Sequence, residues 1–295
     1  MVTADVGVLC ARVRMEEKWV IAALATNGIT APPVPPARLP LPLDPSPSAS
    51  ANEPRLLIDR CQDRAVAAAI IPLWRGLGVT VLDAGLAATG NRLAIASALG
   101  TAGLPRPAAR LVCATTAALR ALETLSYPAT LLPLRPGDAE IVLPDRDTAE
   151  AVLEHREVLG ANEDRPVVIQ AGAPGVGTRV VVDVVGGQAV GYQIAAGYWA
   201  GSSREAEGLA ERAATALGAA IVGIVVAQTD LGLVIWDVLP VSEFRHAVKV
   251  TGSERDVASA IAALVEAPRM ESGATRLARV VDVGAEECVS VPLSA

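Results

Sequence analysis

The stretch Ile221–Gly252, IVGIVVAQTDLGLVIWDVLPVSEFRHAVKVTG, constrains the fold of this chain more than any other. Two apolar runs, Ile221–Ala227 and Leu231–Val238, flank the short polar break Gln228-Thr229-Asp230. Runs of this length, rich in Val and Ile and split by a turn, predict a buried antiparallel hairpin. A polar segment follows with Ser242, Glu243, Arg245, His246 and Lys249. The order is therefore strand, turn, strand and a charged loop.

The rest of the 295-residue chain gives that hairpin ample company. Its length favours two domains over one, with enough material for a real core. Hydrophobic residues make up 52% of it, yet no apolar run approaches the roughly 18 residues of a membrane span. The N-terminal MVTADVGVLCARVR places its short apolar run before its arginines, the reverse of a secretory signal. Cys10, Cys61, Cys113 and Cys288 are widely spaced, with no CxxC pair. That spacing suggests free thiols in a reducing, cytoplasmic compartment, though four cysteines allow two bridges. A net charge of −7 argues against nucleic acid, because phosphate neutralisation dominates such affinity. Aromatic content of 3% leaves little for base stacking.

Along the chain, Asp5–Cys10 reads as a strand and Glu16–Asn27 as a helix with Trp19, Ala23 and Leu24 on its apolar face. Ala31–Pro54 holds nine prolines and is expected to be an extended or disordered surface loop. Arg55–Ile58 and Thr80–Leu82 read as strands around a helix at Arg64–Leu77, a β-α-β-α-β order that predicts a parallel sheet. Helices follow at Asn91–Gly103 and Thr115–Leu125, then strands at Tyr127–Leu134 and Glu140–Leu143. Asp147–Leu159 is amphipathic, with Asp147 or Thr148 as its expected cap. Strands at Val167–Gln170, Arg179–Val185 and Gln188–Ala195 precede a helix at Ser203–Leu217, and Glu254–Ala267 is helical beyond the hairpin. One late strand, Ala278–Val283, falls in the tail.

Five segments then carry a resemblance. They are Arg12-Val-Arg-Met-Glu-Glu-Lys18; Asp59-Arg60-Cys61; Ala102-Gly-Leu-Pro-Arg-Pro107; the run DRDTAEAVLEHREVLG from Asp145 to Gly160; and Glu243-Phe244 with Val248 and Thr251-Gly252. In this order and spacing the chain resembles the ATP-grasp carboxylate–amine ligases of the RimK and LysX type, over roughly Asp5–Ala267. The resemblance implies an α/β (α+β) class, the ATP-grasp fold with an N-terminal pre-ATP-grasp α/β domain. It implies a division into residues 1–88, the pre-ATP-grasp domain with the proline-rich loop 31–54; 89–165, the central subdomain; 166–267, the C-terminal subdomain; and 268–295, an extension.

Such ligases phosphorylate a carboxylate with ATP and Mg²⁺ and let an amine displace the phosphate, chemistry that rests on placed charge. Position by position, the resemblance puts Arg92 where a nucleotide-binding lysine is expected and Leu132 where the second lysine is expected. Ala171 falls at the acidic hinge position. Val225 falls at the first metal-binding aspartate, and Asp237 and Leu239 at the metal-binding Glu-x-Asn pair. Arg92 and Asp237 are thus the nucleotide-binding candidates, Asp237 the metal ligand, and Arg179 the catalytic arginine facing the phosphate or acyl phosphate. Arg12, Arg14, Arg60, Arg64, Glu243 and Phe244 are the candidates for substrate or partner binding, since arginines can clamp carboxylates bidentately.

A hydrogen bond to a charged group contributes about 1.5–3 kcal/mol, so losing one lysine and the hinge acid removes roughly 3–6 kcal/mol. That is about 100- to 10,000-fold in affinity. The expected function is therefore a degenerate member that keeps the scaffold and serves as a binding, regulatory or structural subunit. Its partners would be copies of itself, or an active ligase and a small acidic amino-group carrier protein of lysine- or arginine-type biosynthesis, with no nucleic acid and no membrane. The alternative is an active ligase using ATP and Mg²⁺ to join an amino acid to a carrier or peptide carboxylate. Gly172–Arg179 mimics a phosphate loop but has Thr178 in place of the lysine and runs into a strand, so it reads as a plain turn. His155 and His246 read as surface residues, and two distant histidines without a cysteine pair offer no zinc site.

Overall fold

The structure, a computed structural model, describes residues 5–38, 43, 54–88, 90–160, 165–175, 178–194, 199, 201–230, 232–250 and 256–270. Expectations about most of the proline-rich loop, Thr251-Gly252 and the tail beyond 270, including its Ala278–Val283 strand, lie outside the described residues. The rest forms three sheets, each with its own helices.

The first sheet contains β1 (Val6–Leu9), β2 (Pro33–Val34), β3 (Leu56–Asp59) and β4 (Thr80–Leu82), all parallel in the order β2-β1-β3-β4. Helices α1 (Met15–Thr26) and α2 (Arg64–Gly76) make the crossovers. Successive strand residues point to opposite faces, and both faces are covered. Val6, Val8, Leu56 and Ile58 enter one core, while Leu9 and Leu57 meet Ile71 and Trp74 of α2 on the other side. The proline-rich loop begins with an ordered edge strand, β2, where proline's missing N–H costs no ladder bond. Helix α1 departs from expectation: its buried residues are Glu16, Glu17, Val20 and Leu24, and Trp19 is 38% exposed.

The second sheet is antiparallel, ordered β5-β8-β6-β7. It comprises β5 (Ala109–Val112), β6 (Ala129–Pro133), β7 (Ile141–Leu143) and β8 (Val167–Ala171), with α3 (Arg92–Thr101), α4 (Thr115–Leu125) and α5 (Arg146–Leu159) around it. Strand β5 was not anticipated, because three of its four residues are exposed at an edge and it follows Pro107. The cap of α5 is Asp145, not Asp147 or Thr148: its Oδ1 accepts from the Thr148 amide at 2.8 Å while its own backbone is extended. β8 completes this sheet although it lies beyond the expected 165/166 division.

The third sheet is also antiparallel, in the order β12-β11-β9-β10-β13. It holds β9 (Arg179–Val185), β10 (Gln188–Ile194), β11 (Ile221–Thr229), β12 (Gly232–Leu239) and β13 (Val248–Lys249), packed by α6 (Ser203–Leu217) and α7 (Val257–Met270). The hairpin turn is tighter than its polar break suggests. Gln228 and Thr229 stay in β11, since the Gln228 amide donates to the Thr178 carbonyl and the Thr229 hydroxyl to that of Gly232. The charged loop after β12 is likewise partly regular, with a 3₁₀ turn at Phe244–His246 and the short edge strand β13.

One core joins the first and third sheets. Val6, Val8, Val20, Leu24 and Ile58 pack with Val185, Ile221, Phe244, Val257, Ile261 and Val265. Their junction is tight at Gly85, whose φ is +76° and where a Cβ would stand 1.9 Å from the Leu217 carbonyl oxygen. Gly78 has a similar φ of +82° but open space around it. Gly78→Ala should therefore cost only about 1–2 kcal/mol of left-handed strain. Gly85→Ala must also move backbone and should cost at least twice as much, measured as the shift in urea midpoint of the two variants.

Candidate functional site

Two facing regions collect the residues singled out in the sequence. One lies between the second and third sheets and is built by a bulge in the hairpin. The register shifts between Val225 and Val226, which pair with Asp237 and Ile235, leaving Trp236 as the extra residue. A bulge reverses side-chain parity, so the consecutive residues Trp236 and Asp237 both reach toward the second sheet. There the Arg92 guanidinium at the start of α3 bonds the Asp237 carboxylate and donates from Nε to the Pro133 carbonyl at 2.6 Å. Both side chains are largely buried. Burial pushes the Asp237 carboxyl above its ordinary range, and Arg92 opposes that rise.

A second pair closes the same region. Arg179 donates from Nη1 to Glu140 Oε1 at 2.5 Å, and from Nε and Nη2 to the Pro174 carbonyl. Its guanidinium lies 5.2 Å from the centre of the Trp236 ring, whose Nε1 donates to Glu140 Oε2 at 3.2 Å. Gln170 of β8 reaches the Trp236 carbonyl at 3.3 Å. The cavity bounded by Arg92, Leu132, Gln170, Trp236 and Asp237 measures about 70 Å³.

The positions the resemblance reserves for nucleotide and metal thus carry little to hold them. Leu132 and Val225 are buried, and Val225, Trp236, Val181 and Leu239 share one apolar cluster. Among the described residues no group of three or more His, Cys, Asp or Glu side chains is placed to hold a metal ion. Hard divalent cations need several oxygen ligands, and ligand pockets of nucleotide size run to roughly 300–1,000 Å³. The residues present do not fit a Mg²⁺–nucleotide pair in this geometry.

The other region is the seam between the first and third sheets. Arg60, fully buried, donates from Nε to Glu17 Oε1 at 3.1 Å and from Nη2 to the Ser242 carbonyl at 2.8 Å, and lies 5.0 Å from the Phe244 ring centre. Arg14 bonds Glu17 and, from Nη1, Glu243 at 3.0 Å. Burial raises the Glu17 carboxyl, but Arg14 and Arg60 pull it below its ordinary value on balance. Arg64 bonds Asp59 at 2.8 Å and the carbonyls of Cys61 and Ala88. The structure therefore brings Arg14, Arg60, Glu243 and Phe244 together, with Arg64 near by, while Arg12 is exposed. Arg60 is not a free clamp: its guanidinium is committed to Glu17, Ser242 and Phe244.

Beside this seam opens a cleft of about 490 Å³, walled by Gln62, Arg64, residues 136–138, Val181, Gln193, Leu239, Glu243, Arg245 and His246. His246 is exposed there, as His155 is on α5. Trp74, Trp199 and Trp236 are buried, in keeping with a core role. Sequence reading missed Glu17, Glu140 and Asp183. Asp183 had a visible signal, being the one acid in the run VVVDVV. Glu140 had none, since only the fold brings it to Arg179.

One parallel and two antiparallel sheets, with the sites lying between them, are shared with proteins of the ATP-grasp class. The LysX preATP-grasp domain model matches residues 6–89. A RimK domain ATP-grasp protein from Sphaerobacter thermophilus DSM 20745 is 30% identical, with 88% of this chain and 99% of that one covered at a TM-score of 0.75. The chain belongs to the RimK-type ATP-grasp family. The macrocyclase MdnC from Microcystis aeruginosa MRC, bound with its precursor peptide MdnA, shares the fold at 16% identity and TM-score 0.64, over 89% of this chain and 99% of that one. The ATP-grasp ligase PsnB, complexed with a minimal precursor, does so at 16% identity and TM-score 0.64, over 90% and 99%. No helix among the described residues is long and apolar enough to cross a membrane.

The Arg92–Asp237 pair generates a direct test. Removing one partner of a buried pair leaves the other charge uncompensated and costs roughly 3–5 kcal/mol, less where solvent reaches it. Arg92→Ala should destabilise by about 2–4 kcal/mol in urea denaturation. The double replacement R92M/D237L should return to within about 1 kcal/mol of the parent, because a well-packed apolar pair leaves no buried charge.

Proposed function

We propose that this RimK-type protein keeps the ligase scaffold without using Mg²⁺ and ATP, and acts as a cytoplasmic binding or regulatory subunit. The observation that carries this reading is the Arg92–Asp237 ion pair: the cation at the lysine position neutralises the one carboxylate left at the metal position. Leu132 and Val225 add no charge beside it, and the cavity at Arg92 and Asp237 measures about 70 Å³. The wider cleft at Arg64, Gln193 and His246 is in the size range of a ligand pocket. PsnB and MdnC both take precursor peptides, which supports a peptide or carrier-protein segment as the ligand. In this reading the partner is an acidic amino-group carrier protein, or an active ligase of the same family, in lysine- or arginine-type biosynthesis.

One observation favours a second reading, an active ATP-dependent carboxylate–amine ligase. Arg92 Nη2 is buried without a hydrogen-bond partner, and Arg179 stands at the family's catalytic position. A nucleotide phosphate could take that donor if the two ion pairs opened.

Isothermal calorimetry with MgATP separates the two. The first reading expects no heat up to about 1 mM ATP, a binding free energy weaker than about 4 kcal/mol. Micromolar binding, with heat that disappears when Mg²⁺ is chelated, favours the second and sinks the first.

A further inference from the structure

Asp183 is a carboxylate with no role in the scaffold's chemistry as so far described. It lies in β9 between Val182 and Val184, which point into the α6 core, while its own side chain faces the seam. It is almost wholly buried, and Oδ1 has no hydrogen-bond partner. Oδ2 accepts from Gln193 Nε2 at 3.2 Å, and the Ser242 hydroxyl lies alongside. Gly191 of β10 lies beside it: a Cβ there would stand 2.9 Å from Val257 and 3.3 Å from Ala247, and 3.6 Å, an ordinary contact, from Oδ2. The nearby charge is Arg60, which Glu17, the Ser242 carbonyl and the Phe244 ring already share. Arg14 stands behind Glu17, and the thiol of Cys10 is within reach of the same charges.

We infer that Asp183 is a proton-controlled wedge beneath residues 242–246, the segment that walls the open cleft. Protonated, it is neutral and can donate to the Ser242 hydroxyl, so Arg60 stays with Glu17 and the Ser242 carbonyl. Ionised, it is a buried charge with one bare oxygen, and it competes for Arg60. Arg60 cannot answer that pull without loosening its hold on Ser242 and Phe244. Glu243 and His246 then lose their fixed place in the cleft wall. This regulates the ligand cleft proposed above and rests on that reading for its purpose, though not for its physics.

Titration falls in a useful range. Burial pushes the Asp183 carboxyl up to about 6, outweighing the pull of Ser242, Gln193 and Arg60. An unfolded aspartate titrates near 3.9. The folded state therefore binds more protons between those limits, and the stability this group lends is full below the lower one. It is lost as pH rises through the upper one.

Hydrogen exchange of the full chain, followed by mass spectrometry at about pH 5 and about pH 7.5 and corrected for intrinsic rates, tests the inference. Peptides covering 240–250 should lose about tenfold in protection at the higher pH, while those of α4 and α5 do not change. Asp183→Asn, which is neutral at both, should remove the difference and stay at the protected level. H246Q, in which the segment's own imidazole is gone, should keep the parental profile. An unchanged pH dependence in D183N, or its disappearance in H246Q, overturns the inference. Carboxyl-carbon NMR of the parent protein gives a reading that needs no variant: a midpoint near 6 for Asp183 supports it, and one at an ordinary aspartate value refutes it. None of these measurements contains a ligand, so a cleft that binds nothing would remove the proposed function and leave this result standing.

Discussion

A cleft between packed sheets has to be close to neutral, and this one neutralises itself. Charges taken from water into a protein interior cost several kcal/mol each unless partnered. Where a ligand brings its own charge, the protein can leave the complement exposed and waiting. Here Arg92 meets Asp237, and Arg179 meets Glu140, without any ligand. Each pair joins the second sheet or its flanking helix to the third, so the contacts that satisfy charge also hold the sheets together. The ring of Trp236 lies beneath one cation and donates to the same carboxylate that binds it. Chemistry and closure share the same atoms.

The seam at Arg60 follows the same rule with a different result. One guanidinium serves Glu17 on α1, a carbonyl after β12 and an aromatic face. It joins two sheets that already share an apolar core. Desolvating Arg60 is tolerable because Glu17, the Ser242 carbonyl and the Phe244 ring answer it, and Glu17 is answered twice, by Arg14 and Arg60. Asp183 is the exception within this arrangement. It adds an acid beside Arg60, a buried cation that Glu17 already shares, which is why its proton rather than its charge suits the interior.

Most of the fold was legible because its signals are local. The parallel β-α-β-α-β unit, the valine run of β9 and the Val- and Ile-rich hairpin follow from local sequence pattern. The misses have physical causes. Strand β5 is an exposed edge and β13 has only two residues, so neither carries an apolar pattern. The face of α1 was misjudged because its buried positions include Glu16 and Glu17, acids that arginines make tolerable: Arg14 and the distant Arg60 for Glu17, and the distant Arg245 for Glu16. In the candidate site, the apolar character of Leu132 and Val225, both of them buried, was visible. That Arg92 and Asp237 would find each other was not, because their pairing depends on a bulge and on how two sheets meet.

Why does the scaffold tolerate apolar residues between its second and third sheets? The cores explain it. The apolar clusters that hold the three sheets draw on strand faces and helices, and residues at the ligand positions contribute little to them. Leu132 and Val225 are buried apolar side chains, and burying such a side chain stabilises by roughly 1.5–3 kcal/mol. Active sites concentrate unpaired charge and strain, so apolar residues beside a cleft favour the fold. Arg179 commits its guanidinium to Glu140, the Pro174 carbonyl and the Trp236 ring, so one side chain satisfies its charge and closes the contact between the second and third sheets.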